Sequence, residues 1–299
     1  MLKLKSNNQE MVQSTSEIHL VECPRDAMQG WKNFIPTEKK ISYINKLLEV
    51  GFDTIDFGSF VSPKAIPQMA DTKEVIGQLS LVNSKSKLLA IVANVRGASE
   101  ASEFEKINYL GFPFSISSTF QMRNTNSTIE ASLDTVKEIK KICDENGKES
   151  LIYISMAFGN PYGDEYDEDI ALQWIDKLVG EGIEIISLAD TVGVATPAQI
   201  ASLTQKVINA FPSIETGVHL HSTNTNWQKK LDAALENGCT RFDGALKGIG
   251  GCPMANDELV GNMDSELMIS YFKDKGFLKD LNLQALAESS AMASEIFSI

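Results

Sequence analysis

IEIISLADTVGVATPAQIASLTQKVINAFPSIETGVHLHS (183–222) is the stretch that decides the fold. It opens on a short, β-branched apolar run, IEIISLAD (183–190). A helix pattern follows at 197–210, and a second short run, TGVHLHS (216–222), closes it. Runs that are nearly continuous in apolar character read as strands buried on both faces of a parallel sheet. A helix between two such strands is a βα crossover.

The same unit recurs on either side. HLVECP (19–24), TIDFGS (54–59), KLLAIVAN (87–94), YLGFPFSIS (109–117) and SLIYISM (150–156) are the candidate strands before it, and RFDGAL (241–246) the one after. Helix patterns fill 37–50, 127–146, 167–181 and 226–237. In TEKKISYINKLLEV (37–50), Ile41, Ile44, Leu47 and Leu48 share one face, with Thr37 as the expected N-cap and Gly51 just past the end. Ser127 followed by Glu130 reads as a capping box. Eight βα units fit a (β/α)8 TIM barrel, whose usual length is about 250 residues. An open doubly wound sheet would carry a glycine-rich phosphate loop after its first strand, where this chain has PRDAMQG (24–30). The expectation is a single domain over 1–299, with the barrel at about 17–262 and extra C-terminal helices at about 263–299.

Composition narrows the function. Lys and Arg number 27 against 40 Asp and Glu, a net charge of −13. No basic field exists to meet a phosphate backbone, so nucleic acid is not an expected partner. No uncharged apolar run approaches the ~18 residues of a membrane span, and the N-terminus lacks the apolar core of a secretory signal. The four cysteines (Cys23, Cys143, Cys239, Cys252) form neither a Cys-x-x-Cys pair nor a disulfide framework. The expected setting is a reducing compartment, the cytoplasm.

In a barrel, chemistry belongs at the C-terminal ends of the strands. Three places meet that condition. Cys23-Pro24-Arg25-Asp26 follows the first strand. An adjacent Arg and Asp is ordinarily a surface pair, but here it leaves a buried run at the barrel mouth. There an Arg can stabilise an oxyanion and an Asp can hold a metal. Val218-His219-Leu220-His221 ends the seventh strand. Period-two geometry puts both imidazoles on one face, which suits metal ligation better than two unrelated core histidines. GIGGCPMANDELVGN (248–262) follows the eighth strand, with Cys252 among its glycines. Taken alone that segment is equally well a connector.

Together the segments resemble the HMGL-like metallolyase barrels, and within them the hydroxymethylglutaryl-CoA lyase branch. The resemblance runs from about 17 to about 275. It is carried by PRDAMQGWKN (24–33), SFVSPKAIPQMAD (59–71), Asn94 to Gly97, RNTNSTIEAS (123–132), GNPYG (159–163), SLADTVGVATP (187–197), HLH (219–221) and GIGGCP (248–253). SFVSPK with PQMAD, and GGCP, point to the lyase branch, whereas HxH marks only the superfamily.

The resemblance implies Mg2+ or Mn2+ held by Asp26, His219, His221 and Asn262. It implies Arg25 on a substrate carbonyl or enolate oxygen, Cys252 as the loop cysteine of catalysis, and Asp56 and Asp190 as catalytic carboxylates at strand exits. Gln29 and Lys32 match active-site loop positions and are assigned to cofactor binding. The implied reaction is retro-Claisen cleavage of 3-hydroxy-3-methylglutaryl-CoA to acetyl-CoA and acetoacetate. The implied partner is therefore an acyl-CoA, with Lys32, Lys64, Arg96 and Arg123 as candidate phosphate contacts. A homodimer through the C-terminal helices is compatible with this pattern. Four departures stand out: Asp56 where the pattern has Glu, Ser118 where an acid is usual, Ser222-Thr223 in place of Asp-Thr, and one extra residue between Cys252 and Asn262. The alternatives are a condensing synthase or aldolase-type lyase on the same barrel, which GGCP and SFVSPK oppose, and a catalytically silent ligand-binding barrel.

Overall fold

The computed structural model describes residues 17–251 and 260–298. Eight parallel strands close on themselves: β1 (His19–Glu22), β2 (Thr54–Ser59), β3 (Lys87–Ile91), β4 (Tyr109–Ser115), β5 (Glu149–Ser155), β6 (Ile185–Ala189), β7 (Glu215–His219) and, after a short β8 (His221–Ser222), β9 (Arg241–Gly244), which pairs back onto β1. Around them run α1 (Pro24–Gln29), α2 (Thr37–Leu48), α3 (Thr72–Gln78), α4 (Val95–Ser102), α5 (Ser118–Thr125), α6 (Ile129–Glu145), α7 (Glu168–Gly180), α8 (Pro197–Ala210), α9 (Trp227–Leu235), α10 (Ser265–Asp274) and α11 (Leu283–Ile296). A two-residue β10 (Gly261–Asn262) pairs antiparallel with β8. The TIM barrel expected from the repeated βα units is the fold observed.

The apolar runs behave as doubly buried strands must. Ile55, Leu88, Leu110, Ile152, Ile186, Leu188 and Val218 are all shielded from solvent between sheet and helices. Inside the barrel a separate apolar layer holds Leu89, Ile91, Tyr109, Leu151, Tyr153 and Ile185. α10 follows the last barrel strand and packs Phe272 on Phe242, ring centroids 5.1 Å apart. α11 is added beyond it and lies on α2, tied by Lys39–Glu295 at 2.7 Å and Lys46–Glu288 at 2.9 Å.

Local details correct three expectations. Thr37 is the first residue of α2, and the cap position is Pro36, which makes no side-chain cap bond. Thr37 instead donates its hydroxyl to Asp71 at 2.8 Å. The cap of α6 is Thr128, accepting from the Ala131 amide, so the Ser127–Glu130 box does not form. A complete capping box does form at Thr196 and Gln199, ahead of α8. Lastly, β7 stops at His219, and His221 belongs to β8, so the two imidazoles sit on different pairings rather than on one continuous strand.

Candidate active site

At the mouth end, Pro24 occupies the first turn of α1, where its missing N–H costs nothing. That start swings Arg25 and Asp26 inward, and both are buried. Asp26, His219 and His221 each place one ligand atom within 4.8 Å of the others. Asn262 arrives on β10, directly opposite His221 in register. Its Nδ2 donates to Asp26 Oδ2 at 2.7 Å and to the Ile249 carbonyl at 2.9 Å. Both partners are acceptors, so the amide orientation is fixed and Oδ1 is the free end. That oxygen is buried and has no hydrogen-bond partner among the described residues. Two imidazole nitrogens, a carboxylate and an orphaned amide oxygen fit a divalent cation. Gly250 lets this happen: its φ is +104°, and a Cβ there would stand 2.6 Å from Asn262 Nδ2 and 3.0 Å from the Asp26 carbonyl.

Electrostatics set the protonation states. Asp26 is held below the usual carboxylate range, because Arg25, His219 and the Asn262 amide together outweigh its burial. Its Oδ1 also accepts from Arg25 Nη1 at 3.0 Å and from Gln29 Nε2 at 2.7 Å. Burial and the neighbouring His219 push His221 down to about 4, leaving a neutral imidazole. Burial also lowers His219, but its bond to Asp243 and the nearby carboxylates turn the net shift upward. That bond, Nδ1 to Asp243 Oδ2 at 3.1 Å, leaves Nε2 for ligation, the usual carboxylate–histidine arrangement behind a metal.

Arg25 lies in a fork. Nε and Nη2 donate to Asp56 Oδ2 at 3.0 and 2.6 Å, while Nη1 reaches Asp26. This buried pairing orients the guanidinium and leaves N–H capacity on both terminal nitrogens. Asp56 thus meets Arg25 rather than the Asp26–His219–His221 group. Burial pushes its carboxyl up to about 6 even against the adjacent guanidinium.

The other candidates sit further out. Asp190 is buried, with Oδ2 bound by Lys230 at 2.6 Å and Oδ1 accepting from the Ala195 amide at 2.9 Å. Lys230 also donates to the His221 carbonyl at 2.7 Å. Lys32, Lys64, Arg96 and Arg123 are exposed on the segments after β1, β2, β3 and β4, all on the mouth side. Arg123 lies over the Tyr162 ring at 4.7 Å. Cys252 lies outside the described residues.

Four groups escaped the sequence reading. Asp243 and Lys230 come from 24 and 40 residues away in the chain, so no local spacing announced them. Beside Ser118, Asp164 arrives from the segment after β5, accepting from Ser117 Oγ at 2.5 Å and Thr119 N at 2.9 Å. An acid therefore stands near that position, supplied by a different loop. Glu22 is also unexpected. Fully buried, it accepts from the Leu246 amide at 2.9 Å and Ser265 Oγ at 2.5 Å, so it clasps both ends of the segment that carries Asn262. Burial pushes its carboxyl up to about 8.

The HMGL-like family model matches residues 18–293. The chain belongs to the HMGL-like family. This HMGL-like chain is 32% identical over 278 residues to the mitochondrial hydroxymethylglutaryl-CoA lyase of Bos taurus, covering 92% of this chain and 84% of that protein. A solved HMG-CoA lyase from Acinetobacter baumannii, in complex with coenzyme A and 3-methylmalate, superposes with a TM-score of 0.86 at 30% identity, over 94% of this chain and 92% of that one. The (R)-citramalyl-CoA lyase of Chloroflexus aurantiacus is 29% identical over 277 residues, 90% of this chain and 87% of that protein. This HMGL-like chain is accordingly a lyase.

Proposed function

We propose that the protein cleaves 3-hydroxy-3-methylglutaryl-CoA to acetyl-CoA and acetoacetate, using Mg2+ or Mn2+. The observation that carries this is the juxtaposition, at the mouth of an HMGL-like barrel, of the Asp26–His219–His221 group with the free Asn262 Oδ1 and the oriented Arg25. Asp26, His219, His221 and Asn262 would hold a divalent cation, which would supply Lewis acidity toward the substrate's oxygens.

The chain's own groups do the rest. Asp56, whose carboxyl burial raises while that of Asp26 is lowered, suits a general base for the 3-hydroxyl proton. As the C2–C3 bond breaks, C3 becomes the acetoacetate carbonyl and the electron pair passes to C2. That gives the thioester enolate, whose oxygen the unused Arg25 N–H groups face. Cys252 is assigned the final proton transfer to C2, and solvent resets both groups. Lys32, Lys64, Arg96 and Arg123 are assigned to the CoA phosphates, Gln29 to holding Asp26, and the cytoplasm to its setting. Among the described residues no helix is long and apolar enough to cross a membrane.

A second reading has support of its own: a shorter 3-hydroxyacyl-CoA as substrate. It draws on the citramalyl-CoA lyase relative and on Asp56, Ser118 and Ser222 at positions where the pattern has other residues. Acetoacetate release, assayed with and without EDTA, tests the first reading. It should appear, vanish with chelation and return with Mn2+. Pyruvate from citramalyl-CoA without acetoacetate from the longer substrate would transfer the assignment to the second.

A further inference from the structure

Below the mouth lies a second set of ligand atoms. Cys23 Sγ, a His219 nitrogen and an Asp243 carboxylate oxygen stand within 4.8 Å of one another. Cys23 is 0% and Asp243 3% exposed. Neither belongs to the Asp26–His219–His221 group.

Each member has unspent capacity. Cys23 occupies the N-cap position of α1 but makes no cap bond. Its only hydrogen-bond contact among the described residues is a 4.0 Å approach to the Val21 carbonyl. Position N-cap ordinarily takes Ser, Thr, Asp or Asn because their oxygens cap the helix, so the thiol serves no capping role. Asp243 offers one oxygen to His219, while its Oδ1 is buried without a partner among the described residues. Thiolate, imidazole and carboxylate together suit borderline and soft divalent ions and discriminate against Mg2+.

We propose that Cys23, His219 Nδ1 and Asp243 form a second cation site, selective for thiophilic divalent ions such as Zn2+ or Cd2+, which competes with the Asp26–His219–His221 site for one imidazole. The competition rests on the metal reading given above, whereas the site itself does not.

The physical basis is the tautomer. A neutral imidazole has a single lone pair. With Nδ1–H donated to Asp243, that lone pair is on Nε2, facing Asp26 and His221. An ion on Nδ1 needs the lone pair there, so the ring proton moves to Nε2 and the upper set loses a donor. Binding also displaces the Cys23 thiol proton to solvent. One proton leaves per ion, and the thiolate and carboxylate together balance its double charge.

Co2+ titration of the full-length protein tests this, read by sulfur-to-cobalt charge-transfer absorbance. Wild type and Cys252→Ser should both develop the band at one ion per chain. Cys23→Ser and Cys23→Ala should lack it while keeping Mn2+-supported activity. Zn2+ should inhibit wild type at concentrations at least tenfold below those needed for the Cys23 variants, and should displace bound Mn2+ as followed by its electron paramagnetic resonance. A band that survives in both Cys23 variants, or disappears only with Cys252→Ser, overturns the site. A Cys23-dependent band without Mn2+ release leaves the thiol site standing and overturns the sharing of His219.

Discussion

The two ends of the barrel are built from the same parts and put them to different uses. At the floor, His19 Nδ1 meets Glu215 at 2.5 Å. Arg241, fully buried, lies between Glu215 at 3.5 Å and Asp53 at 3.6 Å, over the Tyr109 ring. At the mouth, His219 meets Asp243, and Arg25 lies between Asp56 and Asp26. Histidine, arginine and two or more carboxylates occur in both. The floor charges neutralise one another across β1, β7 and β9, with Arg241 Nη2 on Thr54 of β2 and its Nε and Nη1 making no hydrogen bond among the described residues. The mouth groups leave an unpaired amide oxygen, an imidazole face and part of a guanidinium turned inward. The difference teaches that buried charge alone does not mark function. At the mouth the spare groups are acceptors that converge with Asp26, His219 and His221, whereas at the floor they are N–H groups of an arginine already flanked by two carboxylates, in keeping with the usual split between a working mouth and a stabilising floor.

Substitutions should separate the two ends. The largest effect is expected for His219→Ala, which removes a proposed cation ligand and the group paired with Asp243. Turnover should fall at least about a thousandfold, of the order seen for loss of central catalytic groups, with bound Mn2+ lost and the barrel folded by circular dichroism. Full activity with metal retained would remove His219 from the site. Cys252→Ala should lose about 10²–10⁴-fold in kcat, the range for a general acid, with metal kept and KM little changed. Loss of metal instead would make Cys252 a ligand.

Asp243→Asn sharpens the comparison, because it leaves shape intact and removes only the charge behind His219. Metal affinity or activity should drop about 10–100-fold, measured by Mn2+ titration. An unchanged affinity would make the carboxylate irrelevant to the tautomer.

The smallest effect on catalysis belongs to the floor. Glu215→Gln should leave kcat within about twofold while costing roughly 1–2 kcal/mol of stability. The sign with pH follows from both partners. The hydrogen bond to Glu215 raises His19, with nearby acids adding to it against burial. That contribution is complete below the ordinary histidine value and fades as pH rises through the raised one. Burial tends to raise Glu215, yet His19 and Arg241 bring it below the ordinary range. Its contribution is present above the ordinary carboxylate value and fades as pH falls through the lowered one. The melting-temperature gap between wild type and variant should therefore be widest between those limits and narrow on either side. A pH-independent gap would mean that the pair contributes packing alone.

The barrel was legible because doubly buried strands announce themselves as apolar runs, and 183–222 repeats what its neighbours do. Segments that open the site were legible too, since Pro24, the HLH run and the GIGG run break strand or helix patterns at strand exits. What lay hidden depends on distance in the chain. Asp243 looks like any polar residue in RFDGAL, and only closure of β7 against β9 brings it to His219. The cap errors at Thr37 and Ser127 have a different cause. Each lies one residue from the true cap, and neighbouring hydroxyl and proline residues offer competing starts.

Glu22 bears on how such a segment can change over evolutionary time. By holding Leu246 and Ser265 together, it closes the base of the intervening stretch independently of what that stretch contains. Lengthening a closed loop of this size by one residue costs only about 0.1 kcal/mol of closure entropy. The additional residue between Cys252 and Asn262 is therefore nearly free. Asn262 still reaches Asp26, because its position is set from the pinned side. With Gly250 and Asn262 kept, the stretch between the two anchors is thus an exchangeable cassette, open to transplantation between related barrels without disturbing α1, the helix that bears Arg25 and Asp26.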